Sequence, residues 1–321
     1  MNITVIGCGR WGSLITWYLD HIGHRVTLYG RAASPRMQAF LTTRQNDLLT
    51  LPESVALSTA LDAALESAET VIISIGSQSL RSLLGQSELQ ALRSRTVVLC
   101  MKGLEMGTGA RLSQIAAELL HPSNTVAVWL GPGHVQEFYR GIPNCMVIDS
   151  ENEDVKRRLV QAFSSDLIRF YYGGDMIGNE VGAAAKNVVG IAAGFLDGFE
   201  MSSLKGALMS RGTREVARLI KAMGGSELSA YGLCHLGDYE ATVFSPYSHN
   251  RQFGESFVRG QDYHQLAEGY YTVKALMLLG QRYGVELPIC KAVHDILYEQ
   301  AVPRDVLAAL LRRGLTGEFY D

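Results

Sequence analysis

Short runs of consecutive apolar and β-branched residues punctuate the first half of the chain, at 2–6, 25–29, 70–75, 96–101, 125–130, 144–148 and 167–171. Stretches with helical spacing lie between several of them, as at 13–21 and 109–120. Apolar strands without polar alternation are buried on both faces, and strands alternating with helices make a parallel sheet covered on each side. From about Met176 the texture changes, because β-branched runs nearly vanish and Ala, Leu, Met and Glu recur at three- and four-residue spacing. This half predicts helices over 179–197, 204–223, 262–283 and 286–299, with Gly224-Gly225 and Gly284 as stops.

The first run feeds directly into Gly7-Cys8-Gly9-Arg10-Trp11-Gly12, a GxGxxG turn that opens a helix, and the strand at 25–29 closes a βαβ unit. In that setting the first glycine allows the tight turn, the second lets backbone approach a pyrophosphate, and the third lets helix and strand pack closely. The helix N-terminus then offers its N–H groups to the anion. The expected fold is therefore α/β. An N-terminal Rossmann-type, doubly wound, mainly parallel sheet (1–174) is followed by an all-helical C-terminal domain (175–321) that carries substrate and catalysis.

Composition narrows the function. At 321 residues the chain exceeds the size at which one core usually stops growing, which agrees with two domains. A net charge of −3 with no basic run excludes nucleic acid as an expected partner. Five cysteines, at 8, 100, 145, 234 and 290, contain no CxxC pair and suit a reducing cytoplasm. The first strand begins at residue 2 without a basic leader, so no signal peptide is expected. No run of about 18 apolar residues appears, so no membrane span is expected either.

Lysine is scarce, with 7 among 29 basic residues, and two lysines stand out. Lys102 follows the strand at 96–101, at the carboxyl edge of the sheet where open α/β folds bind ligands. The alternative is a lysine that merely ends a strand. Lys186 stands alone in a ridge of glycines at four-residue steps, Gly178, Gly182, Gly190, Gly194 and Gly198. Each glycine inside a helix costs about 1 kcal/mol relative to alanine, so the ridge implies close packing by another backbone or by a ligand. An ammonium desolvated there would have a lowered pKa and suit proton transfer, whereas a lysine that snorkels outward would not. Gly237-Asp238 and Ser248-His249-Asn250-Arg251 form a third cluster, in which Asp238 pairs with Lys186 while Asn250 and Arg251 grip an anion, or which is a plain surface loop. His235 and Asp238 lack a third nearby metal ligand, so no metal is expected. The second strand ends in Tyr29-Gly30-Arg31 without the acid that usually holds an NAD ribose. Arg31 then favours NADP(H), with NAD(H) possible, unless it is a solvated turn residue.

Together these segments resemble the bacterial NAD(P)-dependent glycerol-3-phosphate dehydrogenase family over essentially the whole chain. The likeness rests on GxGxWG at 7–12, Lys102-Gly-Leu-Glu105, Leu130-Gly-Pro132, and Gly182-Ala-Ala-Ala-Lys186-Asn-Val-Val189 with 191–198. It continues through Arg211-Gly212, Gly237-Asp238, Asn250 with Phe253-Gly254, and Glu268-Gly269. The resemblance implies reduction of dihydroxyacetone phosphate to sn-glycerol 3-phosphate, a phospholipid precursor, by a homodimer. It implies Lys186 as catalytic acid, Lys102 near substrate and cofactor, and Asp238 as support for the catalytic lysine. It implies substrate contacts at Asn187 and Asn250 and cofactor contacts at Trp11, Arg31, Leu266 and Glu268; beside them, Gly131, Gly133, Ser248, His249 and Arg251 are expected to line the substrate and Arg10, Lys102 and Val135 the cofactor.

The chain departs from the family on the substrate side. Ser248-His249-Asn250 stands where Ser-Arg-Asn is usual, and Gly131-Pro132-Gly133 lacks a hydroxyl of the usual Gly-Pro-Ser/Thr. Tyr239 replaces a leucine and Arg10 a small polar residue. Two alternatives stay open: the same frame acting on another small anionic hydroxy or keto compound, and a non-catalytic NADP(H) sensor. Retention of Lys102, Lys186 and Asp238 together argues against the sensor.

Overall fold

The computed structural model describes residues 1–312 and 317. The chain divides into two compact units, one of residues 1–101 with 112–176, the other of 102–111 with the chain from Ile177 onward. A single cut at residue 174 assigns 102–111 to the first unit, whereas the structure packs it within the second. Residues 313–316 and 318–321 of the expected helical domain lie outside the described residues.

The first unit is an eight-stranded sheet, ordered β3-β2-β1-β4-β5-β6-β7-β8. Its strands are β1 (Asn2–Ile6), β2 (Arg25–Tyr29), β3 (Ala56–Ser58), β4 (Thr70–Ile73), β5 (Thr96–Leu99), β6 (Thr125–Leu130), β7 (Asn144–Asp149) and β8 (Ile168–Tyr172). Every residue of β4 and β5 is buried, as the continuous apolar runs require. All neighbours pair parallel except β6 and β7, which are antiparallel. The connection between those two contains only the short helix Val135–Tyr139, too little to carry the chain back across the sheet, whereas Glu153–Phe163 makes the crossover from β7 to β8. The first strand pair is joined by α1 (Arg10–His21).

Two elements of this unit lack the sequence signal used above. The strand β3 is only three residues long. The helix α2 (Pro35–Thr43) has a weak apolar stripe but clear capping: Ser34 accepts from the Met37 N–H, and Pro35 occupies the first turn.

The second unit is built around α3 (Met176–Gly198), of which 18 residues are buried. A helix enclosed on nearly all sides belongs at the centre of a bundle. Its apolar residues, among them Val181, Val188, Ile191 and Phe195, pack with Val216 and Ile220 of α4 (Lys205–Ala222), Val273 and Leu276 of α6 (Glu268–Tyr283), and Val293 and Ile296 of α7 (Pro288–Tyr298). The remaining helix that matters for the site is α5 (His249–Val258). The predicted helix at 262–283 starts only at Glu268. Residues 264–266 are exposed, whereas Ala267 is buried and Gly269 meets α3 at Asn187. Among the described residues, no helix is long and apolar enough to cross a membrane.

The Gly-Pro-Gly loop after β6 explains one departure from the family pattern. Gly133 has φ +139°, and a Cβ there would lie 2.2 Å from Cε2 of Phe138, whose ring is buried. The aromatic ring occupies the place that a side chain at 133 would take. Gly133→Ser should therefore destabilise the protein by about 2 kcal/mol, combining a strained backbone with overpacking. Thermal unfolding followed by circular dichroism checks this; an unchanged midpoint would show that the loop relaxes freely.

Candidate active site

The glycine turn of the first unit has the division of labour expected from its spacing. Gly7, at φ +116°, would place a Cβ 2.1 Å from the Ser74 carbonyl oxygen, and a Cβ on Gly12 would lie 1.9 Å from that of Gly7. Over Gly9 the situation is reversed, since a Cβ would find only the Arg36 guanidinium, at 3.9 Å. Gly9 is also the N-cap of α1, and no side chain caps that end. Two close-packed glycines thus hold open a cradle at the positive end of a helix, which fits a dinucleotide pyrophosphate.

Around this turn, Arg10 donates to Gln136 Oε1 at 3.4 Å and the Trp11 ring lies 6.1 Å from that of Phe138. Arg31 is exposed just beyond β2, and Arg36, in the first turn of α2, adds a second guanidinium that sequence reading did not single out. Its signal was available in the Ser34-Pro35 helix start. Val135 is buried in the core of this unit. Gly131, at φ +128°, has its Cα side against Met146. Leu266 is exposed and Glu268 begins α6, both in the second unit.

In the second unit the glycine ridge meets protein backbone. A Cβ on Gly194 would lie 2.1 Å from the Arg251 carbonyl oxygen, and one on Gly254 2.2 Å from that of Ile191, so α3 and α5 touch backbone to backbone. Gly190 faces Thr242, Gly198 faces Val258 and Gly182 faces His235. Lys186 sits in the gap between Gly182 and Gly190, where the ridge turns toward residues 238–242.

There Asp238 Oδ2 accepts from two ammonium groups, Lys102 Nζ at 2.7 Å and Lys186 Nζ at 2.8 Å. The Asp238 and Lys186 side chains are 1% and 8% exposed, and Lys102 is 19% exposed, so the arrangement opens outward through Lys102. Asp238 Oδ1 is buried with no hydrogen-bond partner. Lys186 also donates to Thr242 Oγ1 at 2.7 Å, and that hydroxyl donates to the Asp238 carbonyl at 2.7 Å. Thr242 was missed in the sequence, where only its position four residues after Asp238 marks it. Burial lowers the Lys186 pKa to about 8; Asp238 opposes the shift and Lys102 adds to it. Such an ammonium can release its proton near neutral pH.

Lys102 belongs to this unit through its backbone, because Asn187 Nδ2 donates to its carbonyl at 2.8 Å. Asn250 Nδ2 in turn donates to Asn187 Oδ1 at 3.0 Å, and Asn250 Oδ1 accepts from Gly269 N at 2.9 Å. The two amides, expected as substrate contacts, thus tie the Lys102 segment, α3, α5 and α6 together. Ser248 is the N-cap of α5, accepting from Arg251 N at 3.3 Å. Arg251 differs from the expected anion grip: its Nη1 is held by Asp197 at 2.8 Å and Glu255 at 2.9 Å, and its Nε by the Ser245 carbonyl. Burial would raise the Asp197 carboxyl, but hydrogen bonds from Lys205, Arg251 and Ser202 hold it below the usual range. His249 Nδ1 is bonded to Tyr263 OH at 2.6 Å. No cluster of His, Cys, Asp and Glu among the described residues has the geometry of a metal site.

Residues 2–156 match the family model for the NAD-dependent glycerol-3-phosphate dehydrogenase N-terminus, and 175–308 that for the C-terminus. A glycerol-3-phosphate dehydrogenase [NAD(P)+] of Thermoanaerobacter sp. is 32% identical over 100% of this chain and 99% of its own. The enzyme of the same name from Nitrosomonas eutropha is 34% identical over 98% of each. Among solved structures, glycerol-3-phosphate dehydrogenase from Coxiella burnetii superposes with a TM-score of 0.89 at 27% identity, covering 97% of this chain and 99% of that one. With both halves matched, the chain belongs to the NAD-dependent glycerol-3-phosphate dehydrogenase family.

Proposed function

We propose that the protein reduces dihydroxyacetone phosphate to sn-glycerol 3-phosphate, with Lys186 as the general acid and NADPH as the preferred reductant. The observation that carries this reading is the pair of lysines on one buried oxygen of Asp238. The cradle over Gly9 fits NAD(P), and the nicotinamide, when bound, supplies hydride to C2 of the ketone. Lys186 supplies the proton that the ketone oxygen must gain, so that carbonyl becomes alcohol and the ammonium becomes a neutral amine. Asp238 holds that amine in place and Lys102, the more exposed partner, lends positive charge to the developing oxyanion. Thr242 accepts a second N–H of Nζ, which leaves the third to point at the ketone oxygen.

Arg31 and Arg36 support NADPH, since two guanidiniums stand at the end of β2 and start of α2 where an acid would hold the ribose of NADH. We read the protein as a cytoplasmic homodimer that serves phospholipid supply, a reading that family resemblance supports. Five free thiols, four of them buried, suit a reducing compartment. A second reading, another small phosphorylated or carboxylated ketone as substrate, is favoured by His249 and Gly133 in place of the family's arginine and hydroxyl residue.

NADPH oxidation with dihydroxyacetone phosphate, followed by absorbance, tests the proposal. Turnover supports it, and tight NADPH binding without turnover supports a different substrate. Lys186→Ala should lower kcat by about 10² to 10⁴ while leaving the dissociation constant for NADPH unchanged. Kinetics on that variant within twofold of the parent would remove Lys186 from the mechanism. Replacing Arg31 and Arg36 together by alanine should weaken NADPH binding about tenfold or more and spare NADH, as expected for lost charge-assisted hydrogen bonds. Equal losses for both cofactors, measured by fluorescence titration, would contradict the assignment.

A further inference from the structure

We propose that His235, held by Tyr239, is a positioning residue that sets the separation of Lys186 from Asp238. Both side chains are fully buried. His235 Nδ1 lies 2.8 Å from the Gly182 carbonyl oxygen, and its Nε2 lies 2.7 Å from Tyr239 OH. A carbonyl only accepts, so Nδ1 carries the proton, and Nε2 then accepts from the Tyr239 hydroxyl. One tautomer of a neutral imidazole satisfies both contacts.

The positions of these bonds give them their consequence. In an α-helix the carbonyl of residue 182 receives the N–H of residue 186. His235 thus bonds to the very turn that carries Lys186. Its own carbonyl accepts from the Asp238 N–H at 3.0 Å, so a single residue is bonded on one side to the lysine's turn and on the other to the carboxylate's backbone. A Cβ on Gly182 would lie 3.0 Å from the His235 Cβ, which is why the ridge has glycine at that step. Tyr239, next to Asp238, packs with Val189 and Ala193 further along α3. Asp238 is therefore clamped to α3 on both sides, before and after Lys186.

Neutrality of the imidazole is part of the device, because a charged ring would compete with Lys186 for Asp238. Burial lowers the His235 pKa to about 4; Lys186 adds to the shift, while the Gly182 bond and Asp238 oppose it. The clamp stays uncharged across the pH range in which Lys186 titrates.

The inference rests on Lys186 being the proton donor, and its test separates the two. His235→Leu removes both bonds, and His235→Asn restores a donor near the place of Nδ1. We expect His235→Leu to lower kcat about tenfold with the KM for NADPH unchanged. Its high-pH limb of kcat should move downward as Asp238 loosens from Lys186, and His235→Asn should recover most of the loss. Parental kcat and limb in His235→Leu, or no recovery in His235→Asn, would overturn the proposal. Should His235→Leu not fold, two-bond ¹H–¹⁵N spectra of the parent and of Tyr239→Phe decide. The parent must show a neutral Nδ1–H ring from pH 6 to 8; Tyr239→Phe keeps the Gly182 bond and with it the Nδ1–H tautomer, but its Nε2 resonance must move as the hydroxyl donor is lost; an Nε2–H or charged ring in the parent contradicts the clamp. If dihydroxyacetone phosphate is not a substrate, the pH dependence of Lys186 acetylation by acetic anhydride, read by mass spectrometry, reports the same pKa movement without turnover. An unmoved value in the folded variants then refutes the clamp independently of the reaction.

Discussion

Two ammonium groups on one buried carboxylate oxygen are the interaction on which the second unit depends. Desolvating an ion costs several kcal/mol, and two like charges add repulsion, so Lys102 and Lys186 are tolerated together only because Asp238 stands between them. The single anion leaves a net positive charge. That surplus suits a site whose substrate is anionic and whose transition state builds negative charge on oxygen. It also accounts for a Lys186 pKa near 8: burial pulls it down further than Asp238 alone restores.

The helix ridge serves that interaction. Glycines at 190, 194 and 198 bring α5 and residues around Thr242 to backbone distance from α3, and glycine at 182 does the same for His235. A side chain at 190 would press on Thr242 and one at 182 on His235, while the glycines at 194 and 198 admit α5. The amides of Asn187 and Asn250 then fasten the Lys102 segment and the start of α6 to the same helix. Weak helix propensity along α3 is thus exchanged for a rigid setting of three charged groups.

Much of this was legible in the sequence because it follows local rules. Continuous apolar runs gave the buried strands, the GxGxxG spacing gave the turn, and a lone lysine in a glycine line marked α3. What was not legible depends on contacts between distant segments. Asn187 meets the Lys102 carbonyl across 85 residues, and Arg251 meets Asp197 across 54, which turns an apparent anion grip into an internal ion pair. Gly133 reads as a lost hydroxyl until the Phe138 ring is seen where a side chain at 133 would lie. Thr242 carries no motif of its own, Arg36 is marked only by the Ser34-Pro35 helix start, and the antiparallel pairing of β6 with β7 follows from a short connection rather than from either strand's pattern.

The most direct test of the central interaction is the pH dependence of kcat for ketone reduction in the parent and in Asp238→Asn. With protonated Lys186 in its proposed role of proton donor, parental kcat should fall as pH rises through about 8. Removing the carboxylate charge takes away the influence that raises this pKa, and the limb should move to lower pH with reduced kcat at its plateau. A limb that stays in place in Asp238→Asn would mean that Asp238 does not hold the charge of Lys186, and the account of the site would fail.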